Sequence, residues 1–527
     1  IIHNMSKEYD SGSSLHKKVL DGVNLLADNV ASTLGPRGRN VILHKKGAPP
    51  IITKDGVTIA QFVDLEDPFE NAGAQILKQA SAQTNADAGD GTTTATVLAR
   101  EILVYAQRYL VAGHSPVELK KGIDKAVSAI VKSLEKVSVP IMSEDDIAHI
   151  ATISANGDSS IGKLIATAVD KVGKDGSITI EEARSIETSL DLVEGFRFDS
   201  GYLSPQFIND ERRGAAKYTE PLILVADKTI ELVEDLLPIL EVVSRENRPL
   251  VIVAENIEGQ ALAALIMNAI RGTMKIVGVK GPRYGEERRN IMKDLAVSVG
   301  ASFISKETGL KLKDVKLEHL GVAKTIEVVK NLTTVVGGTG DADEVEDRID
   351  SLKAELEQTE SLYECERIQE RITRLASGVA IIRVGGATEI EMIEKKHRIE
   401  DALEAVRSAQ LEGIVPGGGI ALLRAAEGLD IELESEEQEV GMKIICEAVK
   451  APIRQMASNA GARPDLILNM VENEAENYGY DFSRGEAVLD MIDRGIVDPT
   501  KVARLALQNA ASVSSVLLTT NYAVVEI

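Results

Sequence analysis

Tryptophan is absent from this 527-residue chain and aromatic residues of every kind make up only 3% of it, so its cores must be built from Ala, Val, Ile and Leu. That mix suits helices packed on parallel sheets. Cysteine is nearly absent as well: Cys365 and Cys446 stand apart without paired spacing, which excludes a disulfide framework and a cysteine zinc site. A reducing compartment fits, cytoplasm or organelle matrix or stroma. No apolar run reaches the roughly 18 residues of a membrane span. The residues around Met5, which reads as the natural start, lack the basic, apolar and cleavage regions of a signal peptide. Basic charge is the scarcer sign, with 59 Lys and Arg against 82 Asp and Glu for a net charge of −23, so nucleic acid and anionic membrane are poor partners.

Apolar material, in contrast, is plentiful at 44%, and the chain is too long for one core, so about two to four domains are expected. Helical spacing runs from about Ser14 to Lys132, as in Val19, Val23, Leu26 and Val30, broken at Gly35-Pro36 and by a short β-like stretch. A second α-rich stretch runs from about Gly418 to Leu518. The middle differs. There Leu222 to Val225, Leu250 to Val253 and Ile276 to Val279 read as strands alternating with helices, a βαβ pattern. Asp341 to Ser377 reads as an amphipathic helical hairpin. An α/β insert between two α-rich segments predicts that the chain ends fold together into one domain. Gly195 and Gly378, near the borders of the insert, are either turn glycines or hinges.

No GxxxxGK[ST] loop occurs, so a P-loop nucleotide site is excluded. The strongest phosphate candidate is Gly89-Asp90-Gly91-Thr92-Thr93-Thr94-Ala95-Thr96, directly before the helical run Val97 to Val104. Its glycines admit close backbone approach, its threonines supply hydroxyls, and a helix start offers unpaired N–H donors to an anion. Asp90 in such a cradle would repel phosphate unless a divalent cation lay between them, and an oxygen ligand of this kind suits Mg²⁺. An Asp-Gly turn followed by a threonine cap is the plain structural alternative. Thr33-Leu34-Gly35-Pro36, Thr53-Lys54-Asp55-Gly56 and Pro416-Gly417-Gly418-Gly419 share the same glycine-rich character, and each alone could be a turn. The residues by themselves leave open a Mg²⁺-dependent phosphotransferase, or an ATPase not coupled to folding.

The wording of these loops resembles group I chaperonins of the GroEL type, nearly end to end. Thr33-Leu34-Gly35-Pro36 with Gly38-Arg39-Asn40, Thr53-Lys54-Asp55-Gly56-Val57, Ala88 to Thr96, Gly417-Gly418-Gly419 and Asp498-Pro499-Thr500-Lys501-Val502 carry the likeness in order. The resemblance implies an α-rich equatorial ATP-binding domain from residues 1–136 and 412–527, a small intermediate domain from 137–193 and 380–411, and an α/β apical domain from 194–379. By the same resemblance Thr33, Leu34, Gly35, Pro36, Lys54, Gly418 and Asp498 line ATP. Asp90, Gly91, Thr92, Thr93 and Thr94 hold the phosphates with Mg²⁺ on Asp90, and Thr33 and Lys54 give backbone ligands to K⁺. Asp401 orients the attacking water with help from Asp55, since a carboxylate accepts the water's proton. Tyr202, Phe207, Leu237, Leu240, Leu262, Ile266 and Met267 grip non-native polypeptides through apolar contact. The implied assembly is a seven-membered ring of identical subunits, single or double, with a co-chaperonin lid. One departure is Phe482, Ser483 and Arg484, where bacterial relatives carry Asn and Ala.

Overall fold

The computed structural model describes residues 7–526 apart from 142, 174–176, 360 and 377, so the expected start at Met5 lies outside the described residues. The chain divides into two compact units, the first Ile1–Thr167, Glu182–Glu187 and Val384–Ile527, the second Ala168–Glu181 and Thr188–Arg383. Both chain ends belong to the first unit, as the sequence predicts. They are tied directly: strand Lys7–Ser11 pairs antiparallel with strand Tyr522–Glu526, in the register Lys7 to Glu526.

The first unit is a helical core in which helix Gly12–Ala31 packs on Pro68–Ala88, Thr92–Val111 on Thr500–Leu518, and Pro116–Val137 on Glu436–Ala448. Val23, Leu26, Leu98, Ile102, Ile123, Ile130 and Leu507 fill it. Glycine substitutes for the missing aromatics by letting helix backbones touch. A Cβ on Gly122 would fall 2.1 Å from the Gln438 carbonyl oxygen, and one on Gly441 would fall 2.3 Å from that of Leu119, so these two helices cross at backbone contact. Gly22 and Gly73 do the same for the first helix pair. The short β-like stretch is the hairpin Val41–Leu43 with Ile51–Thr53.

The second unit is built on a mixed sheet. Its parallel part is Leu222–Ile230, Leu250–Ile257 and Ile276–Lys280, in the register Leu222 to Leu250 to Ile276, with helices Val233–Glu246 and Gly259–Ile270 as the connections. The buried runs of Val, Ile and Leu on these strands are what a sheet covered on both faces requires. The expected helical hairpin is present as Ala342–Gln358 and Leu362–Ala376, held to the unit by Leu352, Ile368, Ile372 and Leu375. Gly195 is not a turn glycine. It sits in strand Ser189–Phe198, where a Cβ would strike the Val379 side chain at 2.0 Å, so its need for no side chain is one of packing.

Helix Gly285–Val299 is pinned to both helices of the hairpin by a buried acid. Asp294 accepts from Arg371 Nε at 2.7 Å and Nη2 at 2.9 Å and from Arg348 Nε at 2.9 Å, with only 1% of its side chain exposed. Removing the anion leaves a buried guanidinium unpaired. Asp294→Ala is therefore expected to destabilise the second unit by about 3–5 kcal/mol, read as a lower midpoint in urea unfolding. A midpoint unchanged from wild type would show that the pairs contribute nothing net.

Candidate functional site

The first unit contains a cleft of about 340 Å³ whose floor is the glycine-threonine loop. Gly89 and Gly91 adopt φ of 70° and 79°, the left-handed conformation that ends helix Pro68–Ala88 and opens helix Thr92–Val111 within three residues. Thr92, Thr93 and Thr94 form the first turn, whose backbone N–H groups have no acceptor within the helix and carry the positive end of its dipole. A Cβ on Gly56 would fall 2.7 Å from Thr93 Oγ1 and 2.9 Å from Thr92 Oγ1, so the 53–56 loop lies against this helix start only because residue 56 has no side chain.

Two carboxylates lie at the floor. The Gly91 N–H donates to Asp90 Oδ1 at 2.6 Å and the Ser154 hydroxyl to Oδ2 at 2.8 Å. Burial pushes the Asp90 pKa up, those two bonds oppose the rise, and the charge of Asp55 adds to it. Asp498 stands on strand Val497–Pro499, paired with Ile414–Pro416, and is pushed up to about 7 by burial and then by the charge of Asp90. Solvent reaches both residues through the cleft while protein atoms enclose the carboxylates. Among the described residues no group of three or more His, Cys, Asp and Glu is placed to hold a metal. Enclosed acids whose pKa values are raised by burial and by a neighbouring carboxylate suit Mg²⁺, which takes one or two carboxylates and completes its shell from phosphate and water.

The walls come from distant parts of the chain. Helix Glu389–Glu412 contributes Glu394, His397, Arg398 and Asp401, spaced so that all four share one helical face. Asp55 lines the cleft and also caps helix Gly56–Phe62, accepting from the N–H groups of Val57 at 3.4 Å and Thr58 at 2.9 Å and from the Thr58 hydroxyl. Lys54 has its pKa lowered by burial, against the charge of Glu394. Thr33 is buried at the end of helix Gly12–Ala31, its hydroxyl donating to the Val30 carbonyl at 2.7 Å. Leu34, Gly35, Pro36, Gly418, Met456, Tyr480 and Phe482 line the more apolar end. There the Tyr480 and Phe482 rings meet at 5.1 Å, and Arg37 Nη2 donates to the Ser483 carbonyl at 2.7 Å. Phe482 and Ser483 thus belong to the cleft wall, whereas Arg484 is exposed.

Every residue expected to bind nucleotide or metal or to act in hydrolysis lines this single cleft: Thr33 to Pro36, Lys54, Asp55, Asp90 to Thr94, Asp401, Gly418 and Asp498. Sequence reasoning missed Asn85, Ser154, Asn156, Glu394, His397 and Arg398, which also line it. Glu394, His397 and Arg398 share a polar helical face with Asp401, which does not by itself point to a cleft, and Asn85, Ser154 and Asn156 carry no signal at all.

The seven residues expected to contact polypeptide lie in the second unit and divide by exposure. Leu237 at 46% and Met267 at 44% are open to solvent beside Ile270 at 59%, and Tyr202, Leu262 and Ile266 are half-buried against the core. Phe207 and Leu240 require correction, because at 1% and 8% exposure they are core residues and offer no surface. Leu240 falls on the inward stripe of helix Val233–Glu246 with Leu236, Ile239 and Val243, and Phe207 closes a 3₁₀ turn folded into the core.

The fold is similar to that of the crystal structure of the chaperonin gp146 from the bacteriophage EL 2 (Pseudomonas aeruginosa), solved in the presence of ATP-BeFx, with a TM-score of 0.65 and 22% identity over 98% of each chain. The architecture is thus the multi-domain α and α/β arrangement of a chaperonin. A sequence model of the TCP-1/cpn60 chaperonin family matches residues 26–527, nearly the whole chain, and the protein therefore belongs to that family.

Proposed function

We propose that the chain is the subunit of a group I, GroEL-type chaperonin that uses ATP to bind, enclose and release non-native polypeptides. The observation that carries this reading is the meeting of Asp90, Thr92 to Thr94 and Asp401 in one cleft, although Asp401 is some 300 residues from the loop in sequence. The N-terminal turn at Thr92 receives phosphate oxygens through its free N–H groups. Pro36, Gly418 and the Tyr480 and Phe482 side take the base, and the backbone of Thr33 and Lys54 supplies oxygens for K⁺. Asp90, and Asp498 through its nearby charge, hold Mg²⁺, which when bound offsets phosphate charge. Asp401 accepts the proton of the attacking water, and Asp55, fixed as a helix cap, keeps its loop against the phosphate site.

The exposed apolar face carrying Leu237, Met267 and Ile270, with Leu262 and Ile266 behind it, supports capture of unfolded chains, since apolar contact is non-directional and tolerates many partners. ATP drives release only if it binds the releasing state better than the capturing one. The proposed organisation is equatorial, intermediate and apical domains at the boundaries given by the sequence, in a seven-membered ring, single or double, with a co-chaperonin lid and a reducing compartment.

Asp401→Ala is expected to leave ATP binding intact and to lower phosphate release about 10²-fold, whereas Asp90→Ala abolishes Mg²⁺-dependent binding in calorimetry. Wild-type turnover in the first variant or wild-type affinity in the second would remove the assigned role.

Leu237→Ser should impair capture of a denatured protein without lowering the melting temperature, whereas Phe207→Ser should lower the melting temperature first, as core truncations costing about 2–5 kcal/mol do. Equal melting losses in both would mean that Leu237 is core.

Asp498 also predicts a pH dependence. Its folded pKa of about 7 lies above the ordinary 3.8, so between these values the folded state holds a proton that the unfolded state has lost. Stability from this group therefore falls as pH rises, with the full loss present above about 7. In nucleotide-free, Mg²⁺-free protein the melting advantage of Asp498→Asn over wild type should widen from pH 5 to pH 8; a constant difference would show that the carboxylate is not strained by burial.

A further inference from the structure

Helix Glu389–Glu412 lies along the phosphate loop in a register fixed by two contacts. The Ser408 hydroxyl donates to the Ala88 carbonyl at 3.0 Å, and Glu404 closes over Gly89 so tightly that an added Cβ there would fall 2.3 Å from the Glu404 Cβ. From Glu404 the same face continues N-terminally through Asp401, Arg398, His397 and Glu394, all lining the cleft. At 1.5 Å per residue His397 stands about 6 Å beyond Asp401 along the helix axis. Lys54, from the opposite loop, feels the charges of Glu394 and Arg398, which places the ammonium at this same end.

The charges around His397 are mostly committed to one another. Arg398 donates to Glu394 from Nη2 at 2.7 Å and Nε at 3.1 Å, and its Nη1 reaches Asp158 at 3.4 Å. That guanidinium is matched by two carboxylates, so it adds little field of its own toward the cleft. The half-buried imidazole of His397 stands beside this matched group and in the same lining as Lys54, Asp55 and Asp90. An imidazole carries an N–H donor in either neutral tautomer, and a hydrogen bond to an ionised phosphate is strengthened by the acceptor's charge.

We infer that His397 donates a hydrogen bond to the terminal phosphate of a bound nucleoside triphosphate and so makes the cleft select triphosphate over diphosphate. The inference rests on the reading of the cleft as an ATP site. The Thr92 turn and His397 line the same cleft, so on this inference the last member of a phosphate chain seated at the turn is the one that meets the Glu389–Glu412 helix, and a diphosphate lacks that member. The contact therefore ties the helix that carries Asp401 to the loop only when there is a bond for Asp401 to help break.

Calorimetry on the full-length assembled protein with Mg²⁺ tests this, using a non-hydrolysable ATP analogue and, separately, ADP. His397→Ala should weaken the analogue about tenfold and ADP by less than about twofold. His397→Gln, which keeps an N–H donor, should recover most of the loss. Should the alanine variant not fold, His397→Phe keeps the ring shape without either nitrogen and carries the same expectation. Equal weakening of both nucleotides, no weakening of either, or a glutamine variant as impaired as alanine would overturn the contact while leaving the ATP site standing. Wild-type protein that bound neither nucleotide would overturn both.

Discussion

Two acidic side chains enclosed at the floor of one cleft set the terms for the rest of the first unit. Asp90 and Asp498 each lose hydration on burial; the charge of Asp55 adds to the rise at Asp90, and the charge of Asp90 adds to the rise at Asp498, which reaches about 7. Such a pair is unfavourable in an empty protein and becomes favourable when a cation lies between it and an anion. The neighbouring N-terminal turn at Thr92, two left-handed glycines and a bare Gly56 that lets the second loop approach are the complementary half of that arrangement. Acid, helix start and close backbone approach together describe a place for metal and phosphate, and none of the three would do so alone.

Around that floor the chain uses glycine where other proteins would use large side chains. The crossings at Gly122 and Gly441 and at Gly22 and Gly73 bring helices to backbone contact, which suits a protein with 3% aromatic residues. The same economy recurs where Glu404 covers Gly89, so the helix bearing Asp401 approaches the Gly89–Thr94 loop closely.

The loops of the cleft were legible in the sequence because glycine, proline and threonine carry strong conformational meaning, and the parallel strands because Leu222 to Val225 and their neighbours are unbroken apolar runs. Ser154 and His397 were not legible. Each is one polar residue on an ordinary helix, and only the fold shows that its side faces the cleft. Leu240 was misread although the spacing Leu236, Ile239, Leu240 and Val243 is itself the periodic mark of a packed face, and Phe207 lies in a three-residue turn too short to carry a period, so there only tertiary contact decides. Gly195 shows the opposite limit: the turn that a glycine suggests is in fact a strand position packed against Val379. The terminal strands Lys7–Ser11 and Tyr522–Glu526 are too short to announce themselves, although the union of the chain ends was foreseen from the α-rich segments they flank.

The central claim is that phosphate chemistry in one unit does work on polypeptides held by the other, and a refolding assay tests it most directly. A denatured test enzyme is diluted into the purified full-length protein with Mg²⁺, K⁺ and a co-chaperonin of the family, and recovered activity and phosphate release are followed together. The account predicts that the test enzyme is held inactive without nucleotide and regains activity on addition of ATP in step with phosphate release. Steady phosphate release with no capture and no recovery would contradict it and leave an ATPase that acts on something other than protein folding.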